Sequence, residues 1–166
     1  MNRRLAVFVL TPFAICWLAA GGPQDPKADE QDRTAVTKAA LNYVDALYEA
    51  KPELIAESVH AKLTKFGFYR SAASKPYEGH AMSYEQLAKL AKSWNRNGNK
   101  VDASSPRKVE VLDLLDQTAV VKLTAVWGID YMHLAKYEGQ WKIVHILWQS
   151  HPKQAPADDQ PEAKKR

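Results

Sequence analysis

The chain reads as an α+β protein in which three helices pack on a strongly curved antiparallel sheet. Three observations predict it. Apolar residues recur at helical spacing from Val36 to Leu47, Ser83 and Gln86 form a capping box ahead of a second apolar stripe, and beyond residue 107 the pattern becomes strands separated by short polar turns.

In chain order, Val36, Ala40, Tyr43, Val44 and Leu47 make one apolar stripe, so a first helix is expected over residues 33–50. Pro52 resets the chain and suits the first turn of a short second helix, PELIAESV. LTKFGFYR reads as a strand with Phe66 and Phe68 on one side, and SAASKPYEG as the turn leading back. The third helix, SYEQLAKLAKSW, carries Leu87, Leu90, Ala91 and Trp94 on one face, and NRNGNK closes it. Three strands follow: RKVEVLDLL, then TAVVKLTAVW running on through DYMHLAKY, then QWKIVHILWQ, with hairpin turns centred on Asp116-Gln117 and Glu138-Gly139.

The ends differ from this middle. Arg3 and Arg4, the apolar run LAVFVLTPFAICWLAA and the small residues before Pro23 have the order of a secretory signal peptide, expected over residues 1–22. The run is interrupted by Thr11 and Pro12 and is shorter than the roughly 20 residues a membrane span needs. Its removal leaves no stable membrane span and places the protein outside the cytoplasm, periplasmic or secreted, in a bacterial setting. Residues 23–31 read as a flexible leader, 32–151 as one domain, and 152–166, which lack apolar residues beyond Ala and Pro, as a disordered tail.

Composition excludes several chemistries. Cys16 is the only cysteine and lies in the segment expected to leave, so the mature chain has no disulfide, thiolate nucleophile or cysteine-ligated metal. The net charge of +4 falls to about +2 without Arg3 and Arg4, and Lys and Arg are scattered among acids rather than gathered into a nucleic-acid footprint. No metal-ligand spacing, phosphate-binding glycine loop, nucleophile elbow or dinucleotide fingerprint occurs, so neither metal nor cofactor is expected.

YVDALYEAKPELIAESVH, EGHAMSYEQLAKL and IDYMHLAKYEGQWKIVHILW, in that order, resemble the putative lumazine-binding family of the nuclear transport factor 2-like superfamily, over about residues 33–149. The resemblance implies a cone of three helices against a bent sheet, an apolar pocket inside, and dimers formed through the outer sheet face. NYVDAL also resembles the first helix of ketosteroid isomerases, where a Tyr at the position of Tyr43 donates to a substrate oxyanion. The carboxylate base such an isomerase needs has no counterpart in KLTKFGFYR.

The candidate site comes from counting faces. With a two-residue turn at Glu138-Gly139, Lys136 faces Trp141, Leu134 faces Ile143, Met132 faces His145 and Asp130 faces Leu147, which puts Asp130 and His145 on one side. A bulge at Gly128 would aim both Trp127 and Asp130 inward. Asp130 then either orients His145 as a base or hydrogen-bonding group, or the two are only satisfied core residues. Tyr43, Phe68, Trp94, Trp127, Asp130 and His145 are the expected ligand-binding residues, and Tyr131, Ile146 and Trp148 the expected dimer face. The function expected is that of an exported module that binds a small apolar or aromatic molecule, or of a dimeric binding module, with no proven catalysis. An isomerase or dehydratase working by proton transfer, and an assembly module with a vestigial pocket, are the alternatives.

Overall fold

The computed structural model describes residues 26–72 and 74–152. Its elements are α1 (Pro26–Tyr48), α2 (Glu53–Ser58), β1 (Val59–Tyr69), β2 (Glu78–Met82), α3 (Tyr84–Ser93), β3 (Lys108–Leu114), β4 (Thr118–Ala125), β5 (Gly128–Tyr137) and β6 (Gln140–Gln149). The expected signal peptide, the leader up to residue 25 and the tail from residue 153 lie outside the described residues.

α1 begins at Pro26, not at residue 33, so most of the expected leader is helix. Proline suits a first helical turn, where its missing N–H has no partner to lose, and Asp29 sits in that turn beside the positive end of the helix dipole. Asp32 then ties the helix to the sheet, accepting hydrogen bonds from Lys136 at 2.6 Å and from the Trp141 indole at 3.0 Å. The helix ends with Ala50 at φ 54° and a bond from Lys51 N–H to the Ala46 carbonyl, a left-handed cap in which alanine occupies a position usually given to glycine. α3 opens on the expected capping box, with Ser83 and Gln86 each bonding the other's backbone N–H.

The six strands form one curved sheet in the order β2-β1-β6-β5-β4-β3. Every neighbouring pair is antiparallel except β1 and β6, which run parallel, so the sheet is mixed rather than antiparallel. The cause is the route of the chain. It turns back from β1 at one edge, crosses through α3 to β3 at the other, and meanders inward until β6 meets β1.

Two local features decide which side chains face inward. TAVVKLTAVW does not run on into DYMHLAKY: Ala125 pairs with Gly128, and Val126 and Trp127 form a tight turn between two strands where a bulge was expected. Gly128 has φ 147°, and a Cβ there would lie 1.9 Å from the Gln149 carbonyl oxygen, so the turn requires glycine. The Glu138-Gly139 turn is as expected, with φ 50° and 79° in the pattern of a type I′ turn, and Leu134 pairs with Ile143. Beyond Ile143, however, Val144 is an extra residue in β6. His133 pairs with His145, Met132 with Ile146 and Asp130 with Trp148. This bulge inverts the facing of every later residue of β6 relative to the sequence reading.

The core lies on the concave side. Val36, Tyr43 and Val44 of α1, Leu87 and Ala91 of α3, and Val121, Leu123, Met132, Leu134, Ile143 and Ile146 of the sheet are all inaccessible to solvent or nearly so. Among the described residues no helix is long and apolar enough to cross a membrane.

Candidate ligand pocket

A cavity of about 510 Å³ lies between α1, α3, the Val126-Trp127 turn and the concave sides of β1 and β6. Its wall is aromatic because four elements each place a ring there. Tyr43 comes from α1, Trp94 from the C-cap of α3, Trp127 from the β4–β5 turn and Trp148 from β6. Trp94 stacks on Tyr48 at 6.0 Å, and Trp127 meets Trp94, Tyr48 and Tyr43 edge-on at 5.5, 5.5 and 6.2 Å. Trp148 lies against Gly67, where a Cβ would approach its indole to 2.1 Å, so the missing side chain on β1 makes the room the indole fills.

Lys65, also from β1, forms the polar end of this apolar space. Its side chain is only 6% exposed. The Lys65 ammonium donates to the Tyr43 hydroxyl and lies 3.4 Å from Asp130 Oδ1. Tyr43 in turn donates to the same oxygen at 3.4 Å, and the Trp127 indole N–H donates to Oδ2 at 2.6 Å. Asp130, wholly buried, therefore has donors on both oxygens from three different elements. The ammonium sits 5.1 Å from the centre of the Tyr43 ring and 5.4 Å from that of Trp148, within cation–π range. Two of its three N–H groups are engaged, and the residue borders the cavity.

Electrostatics follow from the burial. Desolvation pushes the Lys65 amine below the usual lysine value, and Asp130 offsets this only in part. Desolvation, reinforced by the Asp130 charge, pushes the Tyr43 phenol well above its usual value, so it stays a neutral donor. A buried ion pair of this kind contributes little net stability over an apolar pair of the same size, while removal of one partner is costly.

Of the residues expected from sequence, Tyr43, Trp94 and Trp127 line the cavity, and Asp130 lies directly behind it. Phe68 and His145 do not. Phe68 is on the convex face, 42% exposed, with its ring against Phe66. His145 is turned outward by the Val144 bulge and stacks on His133 at 5.4 Å, so Asp130 and His145 are not partners. The expected dimer face is corrected by the same bulge: Tyr131 is outside, but Ile146 is in the core and Trp148 in the cavity wall. Sequence reasoning missed Lys65 and Trp148. The signal for Trp148 was Gly67, since a glycine inside a strand marks the close approach of another group.

The convex face has its own character. Phe66 and Leu147 are cross-strand neighbours, as are Leu147 and Tyr131, and all three are more than 40% exposed. A separate hollow between α1, α2 and the β5–β6 turn has a mixed wall, and its charged residues, Lys38, Glu57 and Lys142, are not buried. Among the described residues no three His, Cys, Asp or Glu side chains converge as a metal site would need.

Comparison with known proteins bears on this geometry in two ways. The family model described as putative lumazine-binding matches residues 31–149. Among solved structures, the chain is similar to a nuclear transport factor 2-like protein of unknown function from Silicibacter pomeroyi, with 16% identity over 74% of this chain and 98% of that one and a TM-score of 0.57. It is similar to a cystatin-like-fold protein of unknown function from Nostoc punctiforme, with 14% identity over 74% and 93% of the two chains and a TM-score of 0.51. A structure titled putative scytalone dehydratase, from Novosphingobium aromaticivorans, matches at 13% identity over 78% and 98% with a TM-score of 0.51. No curated protein matches the chain in sequence. At these identities the structural likenesses establish the fold alone, a nuclear transport factor 2-like cone. The family match covers most of the chain, which belongs to the putative lumazine-binding family.

Proposed function

We propose that the protein is an exported binder of a small, flat, partly aromatic molecule, held in the cavity between Trp94, Trp127 and Trp148 and oriented by Lys65. One observation carries this reading: a buried ammonium with an unused N–H at the end of an apolar, tryptophan-walled cavity. Rings stack on the walls, and a carbonyl or enolate oxygen of the ligand takes the spare donor. The family's description as lumazine-binding supports a heteroaromatic ligand with carbonyl groups. Export rests on the signal-peptide pattern of residues 1–22. A homodimer through Phe66, Tyr131 and Leu147 is part of the reading, because an exposed apolar sheet face of this kind calls for a partner.

Proton-transfer catalysis fits the geometry less well. Asp130, the carboxylate nearest Tyr43, has donors on both oxygens and no exposed surface, so it does not reach a ligand as a base. Titration with a panel of flat heteroaromatics that starts with lumazine, read by tryptophan fluorescence, tests the binding reading. Saturable quenching, lost in Lys65→Met, is the expected result. No quenching by any member, together with no small molecule in native mass spectra of the purified protein, would overturn it.

A further inference from the structure

We infer that Lys65 captures carbonyl compounds covalently: the cavity takes a small aromatic aldehyde or ketone, and Lys65 holds it as a protonated imine with Asp130 as counter-ion. This rests on the cavity being a small-molecule site, and it adds to that reading a bond and a ligand class.

The geometry supplies what an imine-forming lysine needs. Lys65 lines a cavity large enough for a bicyclic ring, yet its side chain is only 6% exposed, so the amine is shielded from bulk water. Tyr43 touches Nζ and lies 3.4 Å from Asp130 Oδ1, bridging amine and carboxylate. The titratable and charged groups facing the amine are Tyr43 from α1 and Asp130 from β5, with Tyr69 on β1 and Lys100 in the loop after α3 elsewhere on the cavity wall. β6 and the β4–β5 turn present Trp148, Trp127 and Val126, none of them charged. Burial also favours the neutral amine over the ammonium, which is the form that attacks a carbonyl.

The step balances without any other reactant. Lys65 passes a proton through the Tyr43 hydroxyl to Asp130, and the freed Nζ lone pair bonds to the carbonyl carbon while the C=O π pair moves to oxygen. The same relay returns that proton to the oxygen, giving a carbinolamine. A second proton then travels from nitrogen through the relay to the hydroxyl, the C–O bond breaks, and water leaves. The ammonium and carbonyl have become an iminium and water, and the net charge beside Asp130 is unchanged. No new charge is buried, and an apolar cavity favours loss of the water.

The test uses 2-naphthaldehyde with sodium cyanoborohydride on the full chain, which reduces any imine to a stable secondary amine. The expected result is one adduct per chain, mapped to Lys65 by peptide mass spectrometry and formed at least about tenfold faster than on exposed lysines such as Lys62 or Lys108, since the cavity would hold the carbonyl against this one amine. Lys65→Arg and Lys65→Met should lose that adduct and keep the slow surface labelling, with circular dichroism confirming the fold. 2-Naphthalenemethanol, which cannot form an imine, reports the cavity separately. Quenching by the alcohol with labelling only on exposed lysines overturns the covalent inference and leaves the binding reading intact. Absence of both overturns the covalent inference, and the heteroaromatic panel with native mass spectrometry then decides the binding reading.

Discussion

At the middle of β1 one charged side chain, Lys65, points in and two phenylalanines, Phe66 and Phe68, point out. Lys65 is buried beside Asp130 and Tyr43, whereas Phe66 and Phe68, its neighbours along the strand, stand more than 40% exposed on the convex face. The usual division puts apolar groups inside and charges outside, and this strand inverts it on both sides. Neither inversion helps the isolated chain to fold. A buried ion pair costs desolvation, and exposed rings gain nothing from water, and the proposed ligand and partner would each account for one face. The difference lies in the occupant. The concave side holds a fixed polar group in an apolar cavity, the site proposed for a small molecule, while the convex side exposes the apolar row Phe66, Leu147 and Tyr131, the surface proposed for a second sheet.

The largest effect belongs to the concave side. Asp130→Ala leaves the Lys65 ammonium buried without its counter-ion and should lower stability by about 3–5 kcal/mol in urea denaturation. The double variant Lys65→Met, Asp130→Leu should recover all but about 1 kcal/mol of that loss, because two apolar groups of similar volume replace the pair. It should nonetheless bind no cavity ligand. If the double variant is as unstable as the single one, the cluster is a structural requirement and the contrast between the two faces collapses.

Tyr43→Phe removes only the hydroxyl shared by Lys65 and Asp130, and a loss of about 1–2 kcal/mol is expected. The pH dependence of stability sharpens the point. The folded-state amine of Lys65 lies below the usual lysine value, so well below that folded value both folded and unfolded chains carry the proton and the burial penalty is constant. As pH rises through the folded value the folded chain releases its proton first, so stability rises relative to Lys65→Met until the usual lysine value is reached. Tyr43 acts in the opposite sense, because its phenol is held above the usual value and its contribution is lost on the alkaline side. Tyr43 touches Lys65, so the same pair of curves measured in the Tyr43→Phe background separates the lysine from the phenol. A flat difference across the alkaline range contradicts the burial assigned to Lys65.

Much of the fold was legible because its signals are local. The stripe from Val36 to Leu47, the Ser83–Gln86 capping box and the Glu138-Gly139 turn each depend on residues a few positions apart, and each stands in the structure. The site was legible only in pieces. Tyr43 and Asp130 are 87 residues apart, and nothing in either segment encodes the other's position. The Val144 bulge escaped notice because IVHILW is apolar at nearly every position, so an alternation of period two gives no hint of which face each residue takes. β1 misled for a different reason. Judged by hydrophobicity, Phe66 and Phe68 belong inside and Lys65 outside, and that judgement fails because Lys65 finds a buried carboxylate, Asp130, 65 residues away.

The smallest effect on stability belongs to the convex face, and it tests that face most directly. In the monomer Phe66, Phe68 and Leu147 are exposed, so Phe66→Ser, Phe68→Ser and Leu147→Lys should each change monomer stability by no more than about 0.5 kcal/mol, as substitutions outside a core usually do. Their effect should appear only in association. Leu147 lies between Phe66 and Tyr131 in the cross-strand row, and a lysine there would bring two ammonium groups near the symmetry axis of a face-to-face dimer. Sedimentation equilibrium should therefore find wild type as a dimer and Leu147→Lys as a monomer with an unchanged far-ultraviolet spectrum. Ile146→Lys supplies the contrast on the adjacent position of β6, because Ile146 is fully buried in the core and a charge there should unfold the chain. A wild type that sediments as a monomer, or a Leu147→Lys variant that stays dimeric, would show that the exposed rings are not a self-association surface.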